Sequence, residues 1–339
     1  MRIVMELGIM TVRLLFLALL FLQFGLPEIC SAQERRSIDL GKGGSLRWSP
    51  NGNHVSFIRD SALLIYSLEK NTVSRAGNVT SRQYAWLSDT QMIFFEMTWI
   101  GSREGSRYPM KLTFTTIDTT SWSLTEDSVV NDVFEKTRRP SLRIGHQGVV
   151  AVRAGNIIKP VSPQPAHARG TRIFGAVSHY PPGYRAGKPI HDDTDIWLVD
   201  IDGNEIKRVT TGKKYILPKL APNGALLTCY ETTVEGAILI IDTSGNEHAY
   251  IGRGDGATWS RDSDVVYYHV STDDGHRILT ADLFRYTLST GLSEQLTFSP
   301  EIIESGGVPS PDGKWLAYKT TIEGKNPGHV ILLSLAGDR

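Results

Sequence analysis

Residues 308–318 read Val-Pro-Ser-Pro-Asp-Gly-Lys-Trp-Leu-Ala-Tyr, and the chain repeats this phrase along most of its length. An apolar residue leads into a tight turn, and an alternating apolar run follows the turn. Pro and Gly favour the backbone conformations of such a turn, whereas apolar residues at every second position are typical of a half-buried strand. The phrase therefore predicts a strand, a tight turn and a second strand.

Further copies of this phrase make the chain a repeat protein. Plain copies stand at 48–58, 86–95, 220–229 and 259–268, and a degraded copy occupies 140–152. Self-similarity at a spacing of roughly 50 residues is the sequence mark of a repeat architecture. This spacing says more about the fold than any single local motif.

A second element follows each strand pair, and it consists of an apolar strand, a polar turn and a last short strand. Its clearest copy runs from Asp195 to Thr210, with Ile-Asp-Gly-Asn at 201–204 as the turn. Helical periodicity is absent. Repeated units of four strands fit a β-propeller, whose ring leaves only short strand edges to protect. The sequence therefore predicts an all-β fold, a six-bladed β-propeller of four-stranded antiparallel blades.

The first 32 residues have the pattern of a secretory signal peptide. Two arginines give it a positive start, 14–26 form an apolar run, and small residues at 30–32 suit a cleavage site. The apolar run is shorter than the ~20 residues that a membrane span needs. We expect cleavage after residue 32, a single propeller over 33–339 without a membrane span, and a periplasmic or secreted location.

Composition excludes some classes of partner and of stabilising bond. The chain has 36 basic and 36 acidic residues, and a neutral chain without a basic stripe argues against nucleic acid as a partner. Only Cys229 remains after the predicted cleavage, so no disulfide can form within one chain. We expect a monomer that is held together by its hydrophobic core.

The amino-acid pattern of the repeats resembles the TolB-like propeller repeat, a WD40-like repeat also called PD40. The best matches are 310–318, 195–210 and 282–297, and the resemblance covers most of the chain after residue 32. It implies the blade type and leaves function open, because this repeat occurs in binding proteins, in carbohydrate-active lyases and in the lids of serine peptidases. TolB has an α/β domain ahead of its propeller. We expect none here, so TolB's own role is not carried over.

Propeller geometry predicts which face carries a site. If the Ser-Pro-Asp-Gly turn joins strands one and two of a blade, and the Asp-x-x-Gly turn joins strands three and four, both lie on one face, the turn face. The connection between strands two and three and the link to the next blade lie on the opposite face, the loop face. All long connections belong to the loop face, and long loops on a rigid scaffold carry function.

Most candidate site residues lie in two long connections of the loop face, 98–109 in the second blade and 156–194 inside the third. Basic and aromatic side chains on one rim suit an anionic or carbohydrate-like ligand, or a partner protein. The alternative is that they are solvated and only cover the pore. The candidate contacts are Trp99, Arg103, Arg107, Tyr108, His179, Tyr180, Tyr184, Arg185, His191, Asp274 and His276.

Three smaller motifs are explained by turn chemistry or by chance. The Asp-rich stretches 191–195 and 272–276 offer oxygen ligands without the spacing of a Ca²⁺ loop. Turn chemistry is the favoured interpretation, so we expect no cofactor, and a divalent cation such as calcium has no support. Residues 253–255 match the cell-adhesion tripeptide Arg-Gly-Asp, and in a Gly-rich turn between blades a chance match is favoured.

Catalytic motifs are absent from the sequence. It contains no Gly-x-Ser-x-Gly elbow, no Gly-rich phosphate loop, no His-Glu-x-x-His and no Cys-x-x-Cys. We therefore assign no catalytic residue and favour an exported binding or scaffolding module, whose envelope protein partner or carbohydrate-like ligand docks on the loop face. The alternative is a metal-dependent lyase or hydrolase that acts on a carbohydrate or a small ester at the channel mouth.

Overall fold

The structure, a computed structural model, describes residues 35–79, 84–99, 107–121, 123–135, 141–144, 150–154, 157–160, 173, 175–179, 194–200, 204–232, 236–322 and 325–335. Within these ranges the secondary structure is made of strands and turns alone. None of the described residues forms a helix of the length and hydropathy that crossing a membrane requires. The predicted signal peptide at 1–32 lies outside the described residues.

The chain begins with a strand that joins its last sheet and then forms two antiparallel meanders of four strands. The first strand is β1 (Ser37–Lys42). The first meander consists of β2 (Gly44–Trp48), β3 (His54–Arg59), β4 (Ala62–Ser67) and β5 (Thr72–Asn78). The second consists of β6 (Tyr84–Trp86), β7 (Gln91–Trp99), β8 (Arg107–Asp118) and β9 (Ser123–Glu135).

Two three-stranded sheets follow where the sequence predicts one blade with a long connection at 156–194. One contains β10 (Ser141–Ile144), β11 (Val150–Ala154) and β12 (Ile157–Pro160). The other contains β13 (Gly175–His179), β14 (Asp195–Val199) and β15 (Glu205–Arg208). β12 and β13 thus lie inside the stretch that the sequence predicts as loop. Both are only four or five residues long and lack the repeated phrase, so the repeat pattern did not reveal them.

Three further meanders complete the fold. They comprise β16 (Tyr215–Leu220), β17 (Leu226–Glu231), β18 (Ala237–Asp242) and β19 (Glu247–Arg253); β20 (Asp255–Trp259), β21 (Val265–Asp273), β22 (Ile278–Thr287) and β23 (Leu292–Gln295); and β24 (Ile302–Pro309), β25 (Trp315–Ile322) and β26 (Lys325–Ser334). The last meander takes β1 as its fourth strand, because Ser37 pairs with Leu333 in an antiparallel register. A single parallel bridge, Ala281 with Ile303, connects it to the preceding meander.

This arrangement is that of a β-propeller. Consecutive antiparallel meanders follow one another along the chain, and the first strand closes the last sheet. The predicted all-β propeller class is therefore confirmed. The count of six blades stays a prediction, since parts of the chain between β11 and β14 lie outside the described residues.

Local hydrogen bonds explain why the Ser-Pro-Asp-Gly phrase forms its turn. In the last copy, Ser310 Oγ donates to Asp312 Oδ1 at 2.6 Å, and the Trp315 backbone N–H donates to Ser310 Oγ at 2.9 Å. Gly313 has a φ of 72°, a left-handed conformation that glycine adopts without strain. The turn therefore needs Ser, an acceptor side chain and Gly at fixed positions, and it sets the register of the two strands that it joins.

Hydrophobic cores lie between neighbouring meanders. Phe57 of β3 packs in one core with Leu332 of β26, and Ile238 of β18 packs in another with Tyr268 of β21. All four side chains are buried, and burial of one large apolar side chain stabilises the fold by roughly 1.5–3 kcal/mol. The meanders are thus held side by side mainly by apolar contacts across their faces.

The links between meanders pass so close to their neighbours that glycine is required. A Cβ atom at Gly254, between β19 and β20, would lie 2.6 Å from Cδ2 of Tyr268. The equivalent Cβ at Gly43, between β1 and β2, would lie 2.8 Å from Cδ2 of Phe57. A side chain cannot fit at such distances, so these glycines fix the path of the two links, and Gly254 also lines the site described next.

Candidate functional site

A cavity of about 620 Å³ opens on the loop face where the β16–β19 meander adjoins the β20–β23 meander. Its lining residues come from three places: the β17–β18 connection, the link between the two meanders, and the end of β21. They are Gly236, Arg253, Gly254, Asp255, Ser271, Thr272 and Asp273. All three places belong to the loop face. The first is a connection between strands two and three, the second is a link between meanders, and the third is a strand end beside such a connection. The volume is within the range of 300–1,000 Å³ typical of ligand sites.

An ion pair crosses the rim of this cavity. The guanidinium Nη2 of Arg253 lies 3.2 Å from Oδ2 of Asp273, and both side chains are about half exposed. The other oxygen of Asp273 accepts a hydrogen bond of 2.9 Å from the Gly275 backbone N–H. An exposed pair of this kind contributes less than about 1 kcal/mol to stability. Its effect is to connect the end of β19 with the end of β21 and to neutralise the arginine.

Asp255 provides a second carboxylate on the cavity wall. Asp255 is exposed, and it pairs with His269 in the β20–β21 ladder. No ion pair or hydrogen bond to the Asp255 carboxylate occurs within the described part of the chain. The cavity therefore contains one acidic group that the described residues do not neutralise.

His269 lies opposite Asp255 in the β20–β21 ladder. Burial lowers the pKa of His269, while Asp255 acts to raise this pKa and Lys219 acts to lower it. The ring packs tightly against the backbone, because a Cβ atom at Gly256 would lie 2.9 Å from its Nδ1. Nδ1 is buried, and no described residue forms a hydrogen bond with it.

Lys219 of β16 is exposed, and its ammonium group bonds to the backbone of the neighbouring meander. Its Nζ donates a hydrogen bond of 2.5 Å to the carbonyl oxygen of Ala257. Burial lowers the pKa of this ammonium group. The lysine thereby connects β16 to β20, and we assign it a structural role at the junction below the cavity.

Two of the residues predicted from the sequence, Asp274 and His276, lie beside the cavity. They belong to the turn between β21 and β22, directly after the lining residue Asp273. Oδ1 of Asp274 accepts hydrogen bonds from the backbone N–H groups of His276 and Arg277, at 2.9 and 2.8 Å, and these bonds lower the pKa of Asp274. Asp274 thus stabilises the turn, and His276 is an exposed residue of the same turn.

Other predicted residues lie at the loop-face ends of strands. Trp99 ends β7, and Arg107 and Tyr108 begin β8, so all three belong to the second-to-third connection of their meander. His179 ends β13, where it pairs with Asp195. Their contact with a ligand stays a prediction. The remaining predicted residues lie outside the described part of the chain: Arg103, Tyr180, Tyr184, Arg185 and His191.

None of the residues that line the cavity is among the candidate contacts predicted from the sequence. Three of them form the tripeptide at 253–255, for which a chance match is the favoured interpretation of the sequence. One signal points to this place: β21 and β22 continue past the apolar core into polar residues, which end at Ser271, Thr272 and Asp273. Strands that extend beyond their core project above the sheet, and such a hairpin can form the wall of a site.

A metal centre is not found in the described ranges, where no group of three or more His, Cys, Asp and Glu side chains is arranged to hold an ion. Cys229 is a buried free thiol, and burial raises its pKa to about 12. A thiol with so high a pKa is a poor nucleophile, so Cys229 belongs to the core.

Comparison with known proteins gives only weak structural likenesses. No protein-family model and no curated protein matches the chain. The β-propeller domain of Cps50 (Swd1) from Myceliophteria thermophila is 14% identical, with a TM-score of 0.46 and coverage of 89% of this chain and 98% of that one. A putative TolB from Agrobacterium tumefaciens is 14% identical, with a TM-score of 0.35 and coverage of 89% and 79%. An oligogalacturonate lyase in complex with manganese is 12% identical, with a TM-score of 0.39 and coverage of 87% and 78%. Likenesses this weak concern the propeller fold and say nothing about activity.

Proposed function

We propose that this protein is a binding module of β-propeller fold that takes a polar ligand, or a polar segment of a partner protein, on its loop face. The observation that carries the proposal is the cavity between the β16–β19 and β20–β23 meanders. All of its lining residues are glycine, hydroxyl-bearing or charged, and they supply backbone groups, hydroxyls and carboxylates. A concave site with convergent polar groups on a rigid scaffold is suited to binding.

The wider setting of this function rests on the sequence. The predicted signal peptide supports an exported protein, periplasmic or secreted. The amino-acid pattern of the repeats supports a TolB-like propeller. An envelope protein or a carbohydrate-like ligand is then the expected class of partner. The metal-dependent lyase or hydrolase stays an alternative hypothesis to which no residue is assigned.

Photo-crosslinking tests the proposed site. A photo-reactive amino acid at position 276, beside the cavity, is expected to capture the partner in the cell envelope. The same amino acid at position 244, in the exposed β18–β19 turn on the turn face, is the matched control and is expected to capture nothing. Adding Ser271→Trp, which fills the cavity, is expected to abolish the adduct at position 276.

Two outcomes would contradict the proposal. Equal adducts from positions 276 and 244 would mean that the two faces do not differ in binding. An adduct that persists in the Ser271→Trp variant would mean that the cavity is not used. Near-ultraviolet circular dichroism of the purified variants shows that each retains the native fold.

A further inference from the structure

We infer that the cavity recognises a cationic group, an alkylammonium or a guanidinium, through the carboxylate of Asp255. This inference rests on the proposed function and specifies its ligand class. Asp255 lies on the cavity wall, is exposed, and has no ion pair or hydrogen bond to its carboxylate among the described residues. An unpaired carboxylate on the wall of a concave site attracts cations through its negative charge.

The lining residues have one negative charge in excess of their positive charges. Arg253 is the cation among them, and Asp255 and Asp273 are the anions. Arg253 is already paired with Asp273 across the rim, at 3.2 Å. A ligand cation that enters the cavity therefore meets Asp255 without having to displace another positive group from it.

No described residue forms an ion pair with the carboxylate of Asp255. Burial lowers the pKa of His269, the partner of Asp255 in the β20–β21 ladder, and so disfavours its charged form. The Nζ of Lys219 donates to the carbonyl oxygen of Ala257 at 2.5 Å and not to Asp255. The basic group closest to Asp255 along its own link is Arg253, which Asp273 holds.

Hydroxyl groups on the same wall supply further acceptors. Ser271 follows His269 by two residues in β21, and residues two apart in a strand project to the same side. Asp255, opposite His269 in the ladder, projects to this side as well. An ammonium group has three donors and no acceptor, so a carboxylate and a hydroxyl on one wall match it, whereas an anionic ligand would be repelled.

Binding of defined probes tests the inference. The probe is the capped pentapeptide Gly-Gly-Lys-Gly-Gly, and its neutral control carries norleucine, which keeps the alkyl chain and lacks the ammonium. We expect the lysine peptide to shift the amide resonances of Gly254 and Gly256 in the protein labelled with ¹⁵N-glycine. We expect the norleucine peptide to bind at least about tenfold more weakly, because it lacks the charge.

Two substitutions that change the charge of the cavity in opposite directions make the test specific. Asp255→Asn is expected to weaken binding of the lysine peptide about tenfold. Arg253→Gln is expected to tighten it a few-fold, because the variant releases the carboxylate of Asp273 into the cavity. Matched controls change the same charge on the turn face: Glu69→Gln for the former and Arg261→Gln for the latter, both at exposed positions. Neither control is expected to change the affinity.

Butylamine distinguishes the source of the cation. If butylamine binds as tightly as the lysine peptide, the cavity takes a small amine. If the peptide binds more tightly, the cavity takes a basic side chain of a polypeptide. Either result supports recognition of a cation.

Three results would overturn the inference: equal affinity for the lysine and norleucine peptides, unchanged binding in Asp255→Asn, or weaker binding in Arg253→Gln. If a capped glutamate peptide shifts the same glycines instead and Ser271→Trp blocks it, the cavity is a binding site and only the cationic class is wrong. Equal adducts from positions 276 and 244, or an adduct at position 276 that persists in Ser271→Trp, would instead refute the site itself.

Discussion

Two junctions between neighbouring sheets have the same backbone arrangement, and their comparison shows what the side chains add. At the first junction, β14 and β15 adjoin β16. At the second, β22 and β23 adjoin β24. An isolated parallel bridge marks both places, Thr194 with Lys214 in the first and Ala281 with Ile303 in the second. The residues that follow these bridges can therefore be compared one by one.

A threonine hydroxyl stabilises the same backbone group at each junction. Thr210 Oγ1 accepts a hydrogen bond of 2.9 Å from the Ile196 backbone N–H. Thr297 Oγ1 accepts one of 2.9 Å from the Leu283 backbone N–H. These threonines end the repeat phrase, and the shared contact explains why that phrase closes on Thr after its last short strand.

The charges at the two junctions differ. At the first, Asp195 forms an ion pair with Arg208. At the second, the equivalent aspartate, Asp282, accepts a hydrogen bond of 3.2 Å from the neutral amide of Gln295. The first junction thus contains a carboxylate with its own cation, whereas the second has a carboxylate without one.

A second carboxyl group lies at the second junction. Glu304 follows the bridge residue in β24, at the place that Tyr215 occupies in β16. Glu304 is 3% exposed, and its Oε1 accepts hydrogen bonds from Ser299 Oγ at 3.1 Å and Tyr318 OH at 3.4 Å. Its Oε2 is buried without a partner among the described residues. Because burial penalises the charged form, and Asp282 repels it, the pKa of Glu304 is raised.

The comparison shows that the same backbone arrangement can hold either an ion pair or a buried carboxyl group whose pKa is raised. A buried carboxylate must be paired, or it takes up a proton. The first junction has the ion pair, whereas at the second junction burial favours the protonated form of Glu304. Stability at the second junction should therefore respond to pH, and the following three changes test this difference.

Breaking the ion pair of the first junction should have the largest effect. Arg208→Leu leaves the carboxylate of Asp195, whose side chain is 11% exposed, without its cation. We expect the free energy of unfolding to fall by about 2 kcal/mol, less than for a fully buried pair because Arg208 itself is 45% exposed. Urea denaturation at pH 7 measures the loss.

The second junction supplies the control for this variant. Arg208→Gln copies Gln295, and its amide can still donate to Asp195, so we expect about half of the loss seen with Arg208→Leu. An Arg208→Leu protein as stable as the wild type would show that the pair contributes nothing.

The next largest effect is the pH dependence of the free energy of unfolding that the titration of Glu304 causes. The folded protein binds this proton more tightly than the unfolded chain, in which the pKa is near its ordinary value of 4.5. The free energy of unfolding contributed by Glu304 is therefore highest below that value, and it falls as pH rises through the raised pKa of the folded state. The slope reaches at most about 1.4 kcal/mol per pH unit. Urea denaturation between pH 4 and 9, compared with Glu304→Gln, measures it.

In the Glu304→Gln protein this part of the pH dependence should vanish, since Gln remains neutral. Glu301→Gln, at an exposed position just before β24, is the control and should keep the full dependence. If Glu304→Gln retains the wild-type slope, Glu304 is not the group that titrates.

The smallest effect is a shift of the pH range in Asp282→Asn. Asn can still accept the hydrogen bond that the Ser299 backbone N–H gives to Oδ1, at 2.9 Å. Removing the negative charge lowers the pKa of Glu304, so the loss of stability should occur at lower pH than in the wild type. The same denaturation series detects the shift. Asp89→Asn, an exposed site in the second meander, should leave it unchanged, and a shift to higher pH would contradict the assigned role of Asp282.

The sequence could predict the parts of the fold that depend on local contacts. The Ser-Pro-Asp-Gly turns are recognisable because Ser310, Asp312 and Gly313 act within six residues of one another. Strand alternation is local in the same way. The all-β class and the two sets of connections followed from these local signals, because an antiparallel meander places alternate connections at opposite ends.

The sequence could not predict contacts between distant segments. The cavity combines Gly236, the 253–255 link and the end of β21, and no motif relates these three places. The same holds for Leu217, which has a φ of 51° at a bulge where the equivalent residue of β24 is Gly306 with a φ of 69°. A leucine gives no sign in the sequence that its backbone is left-handed.

Closure of the last sheet by β1 has a consequence for the order of folding. β1 is made first, but its partner β26 is among the last segments to be synthesised, and the ladder from Ser37 to Leu333 joins almost the two ends of the chain. Contacts of such large sequence separation form late, because a long loop must be closed before they can stabilise anything. We therefore expect β1 to remain unpaired until the other sheets have formed. The hydrogen bond between Asp39 Oδ2 and His329 Nδ1, at 2.8 Å, then forms only when β1 has paired with β26.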